Sequence, residues 1–178
     1  YGLEDLTKFG ETTIDVGRDK GVKVEFWKAK KRLASGKMKT IVLLKEVPRA
    51  DGKLRYTNII YNYHQYGNQS WEEFSAFFAK ATKEAIIQLE QVRAKEQGDD
   101  WRPAVLWGRD AQSVGALTLL RIEKGKAGSI LKDAHLAFTT HTFGNRQTFG
   151  LGDLQRVADL IGVPENMRSA FIRWNQMM

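Results

Sequence analysis

With three histidines and no cysteine, this chain has few side chains that could ligate a metal or attack a substrate. Thiolate metal sites, disulfides and thiol catalysis are excluded. His135 and His141 lie six positions apart in a stretch that reads as a strand. They share a face but stand roughly 20 Å apart at ~3.3 Å per residue, too far to ligate one metal ion. His64 stands alone at a strand end, and all three fit surface or nucleic-acid contact better than ligation. Gly125-Lys126-Ala127-Gly128-Ser129 is superficially like a phosphate loop. It lacks the full spacing and lies between two expected strands instead of opening a helix, so it reads as a hairpin turn. The acidic pairs Glu72-Glu73 and Asp99-Asp100 fall at a helix start and in a loop, where capping and solvation account for them. No catalytic residue, metal site or cofactor is expected, and the chain reads as a non-enzyme.

What the residues do offer is positive charge. The 178 residues carry 28 Lys+Arg against 21 Asp+Glu, a formal +7 with a pI near 9.6. Residues 1–17 are net −3, residues 18–55 net +9, residues 56–97 net −1 and residues 98–178 net +2. The excess therefore belongs to 18–55, where Lys28, Lys30, Lys31, Arg32, Lys37, Lys39, Lys45 and Arg55 are interleaved with Phe26, Trp27 and Tyr56. Such a cluster suits phosphate binding, the plainer alternative being a solvated sheet face whose lysines guard exposed edges. An apolar fraction of 42% with 11% aromatics supplies a packed core and excludes a disordered basic tail. No apolar run approaches the roughly 20 residues of a membrane span, so no membrane partner is expected. The chain opens on Tyr1, which reads as a processed or trimmed start.

The elements that must position these cations follow from periodicity. Val22, Val24 and Phe26 alternate with Lys23, Glu25 and Trp27, the pattern of a half-buried strand. Thr40 to Leu44 is a continuous apolar and β-branched run that suits a central strand; Pro48 stops it, and Asp51-Gly52 turns the chain back through 55–63. A helix is expected from a capping box at Ser70-Trp71-Glu72-Glu73 to about Lys95. Its apolar stripe is Phe74, Phe77, Phe78, Ala81, Ala85 and Leu89, opposite Lys80, Lys83, Glu84 and Glu90. The same plan is expected again: strands at 103–107, 114–122 and 129–142, then helices from an Asp153 cap to Ile161, closed by Gly162, and after Pro164, the last with Met167, Ala170, Phe171 and Trp174 inward. The chain thus reads as a single α+β domain, 1–178, made of two β-β-β-α repeats at about 11–97 and 101–178, with antiparallel sheets backed by helices. A basic β-surface carrying aromatics suits single-stranded nucleic acid, with Trp27, Tyr56 or Tyr61 placed to stack on bases.

This plan, and the texture of Val42 to Ile59 with its basic strand, Pro/Asp/Gly turn and return strand, resembles the Whirly fold. The Lys-Gly-Lys-Ala-Ala-Leu signature of plant Whirly proteins is absent, so the chain is most similar to the trypanosomatid mitochondrial RNA-binding members of that fold. The resemblance implies a mitochondrial tetramer of related subunits that binds guide RNA and mRNA by their phosphates and anneals them in RNA editing. The residues that fit that role are the eight cations named above, with Lys124, Lys126, Lys132 and Arg146 from the second half. A single-stranded-DNA-binding regulator of the same fold is the alternative, and a basic scaffold that docks an acidic protein is a third reading.

Overall fold

The computed structural model describes residues 2–54, 56, 71–98, 101–109, 113–139 and 151–176. Three long strands open the chain: β1 (Leu3–Val16), β2 (Asp19–Arg32) and β3 (Met38–Glu46). They form an antiparallel sheet in the order β1-β2-β3. β1 was not legible as a strand, because its register with β2 breaks three times, the last between Ile14↔Val22 and Val16↔Asp19. Glu4 pairs with Lys30 but Thr7 with Lys28, and Lys8 pairs with Trp27 but Gly10 with Phe26. The second break makes Phe9 the extra residue of a bulge, and its ring packs 6.0 Å from that of Phe26. Regular alternation is lost from the sequence while the apolar face is kept.

β2 and β3 pair without interruption from Val24↔Glu46 to Arg32↔Met38. Their turn closes through Leu33 N–H to Lys37 O at 2.8 Å and Gly36 N–H to Leu33 O at 2.9 Å, with Gly36 at φ +78°. That left-handed position favours glycine, as in a three-residue hairpin loop. The expected strand at Thr40–Leu44 forms within β3 and pairs with β2; Ile41 to Leu44 are half-buried and Thr40 is exposed. Asp51-Gly52 does form its turn, with Gly52 N–H on Arg49 O at 2.8 Å. Of the return strand at 55–63 only Tyr56 lies within the described residues.

The helix α1 (Trp71–Gln97) crosses the inner face of this sheet, with Glu72 and Glu73 in its first turn. Ser70, the proposed cap, lies outside the described residues. Phe77, Ala81 and Ala85 are buried as expected, and Phe74, Phe78 and Leu89 are half-buried. Glu90, assigned to the charged face, is buried instead: it accepts Arg93 Nη1 and Trp101 Nε1, each at 2.8 Å. Lys80 Nζ donates to Asp15 O at 2.8 Å and Gln88 Nε2 to Glu11 O at 3.0 Å, which satisfies carbonyls of the edge strand β1. Burial pushes the Lys80 ammonium below its ordinary pKa.

Among the described residues the second half does not repeat the first. β4 (Val105–Arg109) is followed by α2 (Val114–Lys124) and then β5 (His135–Thr139), and β4 and β5 pair in parallel. The expected strand at 114–122 is thus a helix. Its apolar residues look unbroken because it is buried on two sides. Val114, Ala116 and Leu119 join the main core, while Leu117 and Leu120 join Leu131 in a second cluster with Leu106, Leu136 and Phe138. An apolar run packed on both faces carries no periodicity by which helix and strand can be told apart. The turn at Gly125–Gly128 therefore follows a helix and is no hairpin; 129–134 is turn, and only 135–139 of the third expected strand is extended among the described residues.

α3 (Leu151–Ile161) and α4 (Glu165–Gln176) complete the chain. α3 starts before Asp153, so that residue is inside the helix and not its cap. Gly162 closes it as expected, with Val163 N–H on Ala158 O at 2.9 Å. In α4, Phe171 is buried and Met167 half-buried, but Ala170 is exposed and Ile172 packs inward in its place; the Trp174 side chain lies outside the description. One core cluster runs from Ile14 to Phe171, with α1 between the three-stranded sheet and α2 and α3. The fold is α+β, with one antiparallel and one parallel sheet among the described residues.

Candidate nucleic-acid interface

The acidic segment 1–17 is the neighbour of the basic one, and this changes how its charge is displayed. On the outer face of the sheet, Lys8 pairs with Glu11 at 2.6 Å and with Glu25 at 3.1 Å. Lys23 pairs with Glu11 at 2.9 Å and Lys45 with Glu25 at 3.2 Å. Three ammonium groups thus share two carboxylates. The hydrogen bonds show in the acid–base balance: Lys8, then Trp27 and Lys45, hold Glu25 down to about 2, and Lys8 and Lys23 lower Glu11. Glu11 and Glu25 in turn raise Lys8. This part of the face is a nearly neutral lattice, closer to the guarded-surface alternative than to a phosphate cradle.

Toward the β2–β3 turn the balance changes. Residues 28–39 hold Lys28, Lys30, Lys31, Arg32, Lys37 and Lys39 and no acid. Lys28 reaches Glu96 on α1 at 3.6 Å and Lys30 reaches Asp5 at 2.9 Å. Arg32 Nη1 donates to Gly36 O at 3.4 Å within its own hairpin. Lys31, Lys37 and Lys39 are exposed and make no ion pair among the described residues. Lys31 and Lys39 are register partners, so their ammonium groups leave neighbouring strands on the same face. The aliphatic side chains of Leu3, Leu6, Leu33 and Met38 are exposed at this same end of the sheet.

The second-half cations are differently employed. Lys124 Nζ donates to Ala134 O at 2.6 Å and holds the turn before β5. Lys126 pairs with Glu123 at 2.7 Å, which raises its pKa. Lys132 is exposed. Lys126 and Arg102 line a depression of about 390 Å³ beside Ile87 and Gln91 of α1. Arg55 and Arg146 lie outside the described residues, as do Tyr61, His64 and His141.

The expected stacking residues are also rearranged. Tyr56 is buried: its ring stacks on Phe77 at 4.7 Å, its hydroxyl donates to Asp19 Oδ2 at 2.6 Å, and its N–H reaches the buried Glu46 at 2.8 Å. No base can reach it. Trp27 is half-buried, with its indole N–H on Glu25 and Lys45 Nζ 5.7 Å from its ring centre. The large exposed aromatic among the described residues is Trp107, which was read only as part of a strand. Its signal was present in the sequence: Trp107 and Arg109 two apart in a strand share a face.

Among the described residues no group of three or more His, Asp or Glu could hold a metal ion, and no helix is long and apolar enough to cross a membrane. No protein-family model matches the chain, and neither the curated proteins nor the solved structures contain a match.

Proposed function

We propose that this protein binds single-stranded nucleic acid, RNA in the first instance, by gripping phosphates at the β2–β3 end of its antiparallel sheet. The observation that carries the reading is the cluster of Lys31, Lys37 and Lys39, exposed and without an ion pair among the described residues, in a stretch with no acid. The end of a twisted antiparallel sheet can follow a flexible phosphate chain, and lysines on it neutralise charge without reading sequence. Bases left free can then find a complement, so annealing follows from the same grip.

Guide-RNA annealing in mitochondrial RNA editing, by a tetramer of related subunits, is the narrower form of this proposal. Its support is the Whirly resemblance of residues 42–59 together with the first half's plan of antiparallel strands followed by a long helix; the β-α-β second half adds none. Binding of single-stranded DNA in genome maintenance is the alternative within the same chemistry, and competition between matched RNA and DNA oligomers separates the two.

The test is oligomer affinity as a function of salt for the full chain, for the triple variant Lys31→Glu, Lys37→Glu, Lys39→Glu, and for a control with Lys23→Ala and Lys45→Ala. Three phosphate contacts contribute about −2 to the log–log salt slope on a single strand, at ~0.7 each. The triple variant should lose that slope and most of the affinity while the control keeps both. A wild-type slope near zero, or equal losses in the two variants, would overturn the reading.

A further inference from the structure

We propose that the open face of the β4–β5 pair is a base-stacking platform, on which an unpaired base lies against Trp107 beside the Arg109 guanidinium. The proposal rests on the nucleic-acid reading above and adds to it the contact that bases, as distinct from phosphates, would make.

Register places Trp107 opposite Ala137 and Arg109 opposite Thr139, and paired residues of a parallel ladder share a face. The other face, Leu106, Leu136 and Phe138, packs on Leu117, Leu120 and Leu131. The Trp107 face is accordingly turned away from the core, and Trp107 is 58% exposed. A large apolar ring in water is unfavourable by itself, yet this one is held in a fixed orientation. Its Nε1 donates to Thr139 Oγ1 at 2.8 Å across the ladder, and the Arg109 guanidinium lies 5.0 Å from the ring centre. Little side-chain freedom remains to be lost on binding.

Three features select a nucleobase as the occupant. The indole N–H is already satisfied, so the ring offers a π-face and no donor, which suits sequence-tolerant stacking. The small Ala137 beside it leaves that surface low. The only formal charge on either strand is the Arg109 cation, because 105–109 and 135–139 contain no acid. Arginine stacked on an aromatic ring extends the platform and complements a phosphate at once.

The test uses the full chain and two labelled oligomers with equal numbers of phosphates, an oligouridylate and an abasic strand. For Trp107→Ala and Trp107→Leu we expect oligouridylate binding weakened by roughly 5- to 150-fold. The salt slope and the abasic affinity should stay at wild-type values, which also reports that the fold is intact. Trp107→Phe should retain most of the oligouridylate affinity. Wild-type oligouridylate binding by Trp107→Ala overturns the platform and leaves the phosphate reading standing. So does equal weakening toward both oligomers, or a fall in native mass with unchanged binding, which would make Trp107 a contact between copies of the chain. If the wild-type chain binds neither oligomer, both readings fall together.

Discussion

Trp27 donates its indole N–H to Glu25 Oε2 at 3.2 Å, two positions along the same strand. The pair turns what reads as a free aromatic among lysines into part of the sheet's own charge lattice. Glu25 also takes Lys8 at 3.1 Å and Lys45 at 3.2 Å, so one carboxylate anchors groups from all three strands.

Glu25 should therefore titrate far below an ordinary glutamate. Its folded pKa is lowered to about 2 from 4.5, first by Lys8, then by Trp27 and Lys45. A depressed folded pKa means that the native state holds its proton less tightly than the unfolded chain does. The stabilisation is fully present above about 4.5 and is lost as pH falls through the interval down to about 2. Carboxyl-carbon NMR should place the Glu25 midpoint near the low end of that interval, and Glu25→Gln should flatten the acid limb of stability against pH. A midpoint close to 4.5 would show that the lattice does not persist in solution.

The same lattice restrains binding. Glu11 and Glu25 occupy Lys8, Lys23 and Lys45, and their removal frees those ammonium groups for phosphate. Glu25→Gln should raise affinity for a single strand, each newly engaged phosphate adding about 0.7 to the salt slope and about fivefold at ~0.1 M salt. Anisotropy titrations at several salt concentrations measure both. An unchanged slope would mean that the strand does not pass over this part of the face.

How much of this was legible in the sequence differs by element. β2, the turn at Asp51-Gly52, α1 and the stop at Gly162 were readable, because the two elements each have one buried face and the turn and the stop carry a glycine signal of their own. β1 was hidden by bulges that break its alternation at Asp5 to Thr7 and at Phe9. α2 was hidden by burial on two sides, and with it went the second repeat. The cations were correctly seen as clustered along the chain, but pairing across strands cannot be read from linear charge. Asp5 and Glu11 are distant from Lys30 and Lys23 until β1 folds back on β2. What survives as free charge is the stretch with no acid within it and few within reach.

Tyr56 separates a structural from a binding role. Its ring stacks on Phe77 and its hydroxyl bonds the Asp19 carboxylate, which also pairs with Arg49 at 3.2 Å. Tyr56→Phe should cost about 1.5–3 kcal/mol in urea denaturation, the range of a hydrogen bond to a charged group. Tyr56→Ala should cost about 3–5 kcal/mol. Neither change should alter affinity per folded molecule. A drop in oligomer affinity for Tyr56→Phe with stability unchanged would restore this ring as a stacking residue.

Gly108 and Gly125 should respond to alanine with opposite signs, although both adjoin α2, one against Leu117 and the other at its C-terminus. A Cβ on Gly108 would stand 2.5 Å from Leu117 Cδ1 and 2.6 Å from Ser113 Oγ. Leu117 is enclosed by Leu120 and Leu131 and cannot withdraw, so Gly108→Ala must push β4 off α2, at a cost of about 1–3 kcal/mol. Gly125 has φ −74° and ψ −8°, an ordinary helical conformation, and an added Cβ meets nothing closer than Ile122 O at 3.5 Å. Alanine there reduces the freedom of the unfolded chain and should stabilise by about 0.4–1 kcal/mol. Thermal melts of the two variants read the difference. Because Gly108 adjoins Trp107 and Arg109 on β4, Gly108→Ala should also disturb the Trp107–Thr139 hydrogen bond. Oligouridylate affinity should then fall, while Gly125→Ala leaves it unchanged. Equal melting temperatures would show that β4 does not press on α2 as closely as Gly108 and Leu117 require.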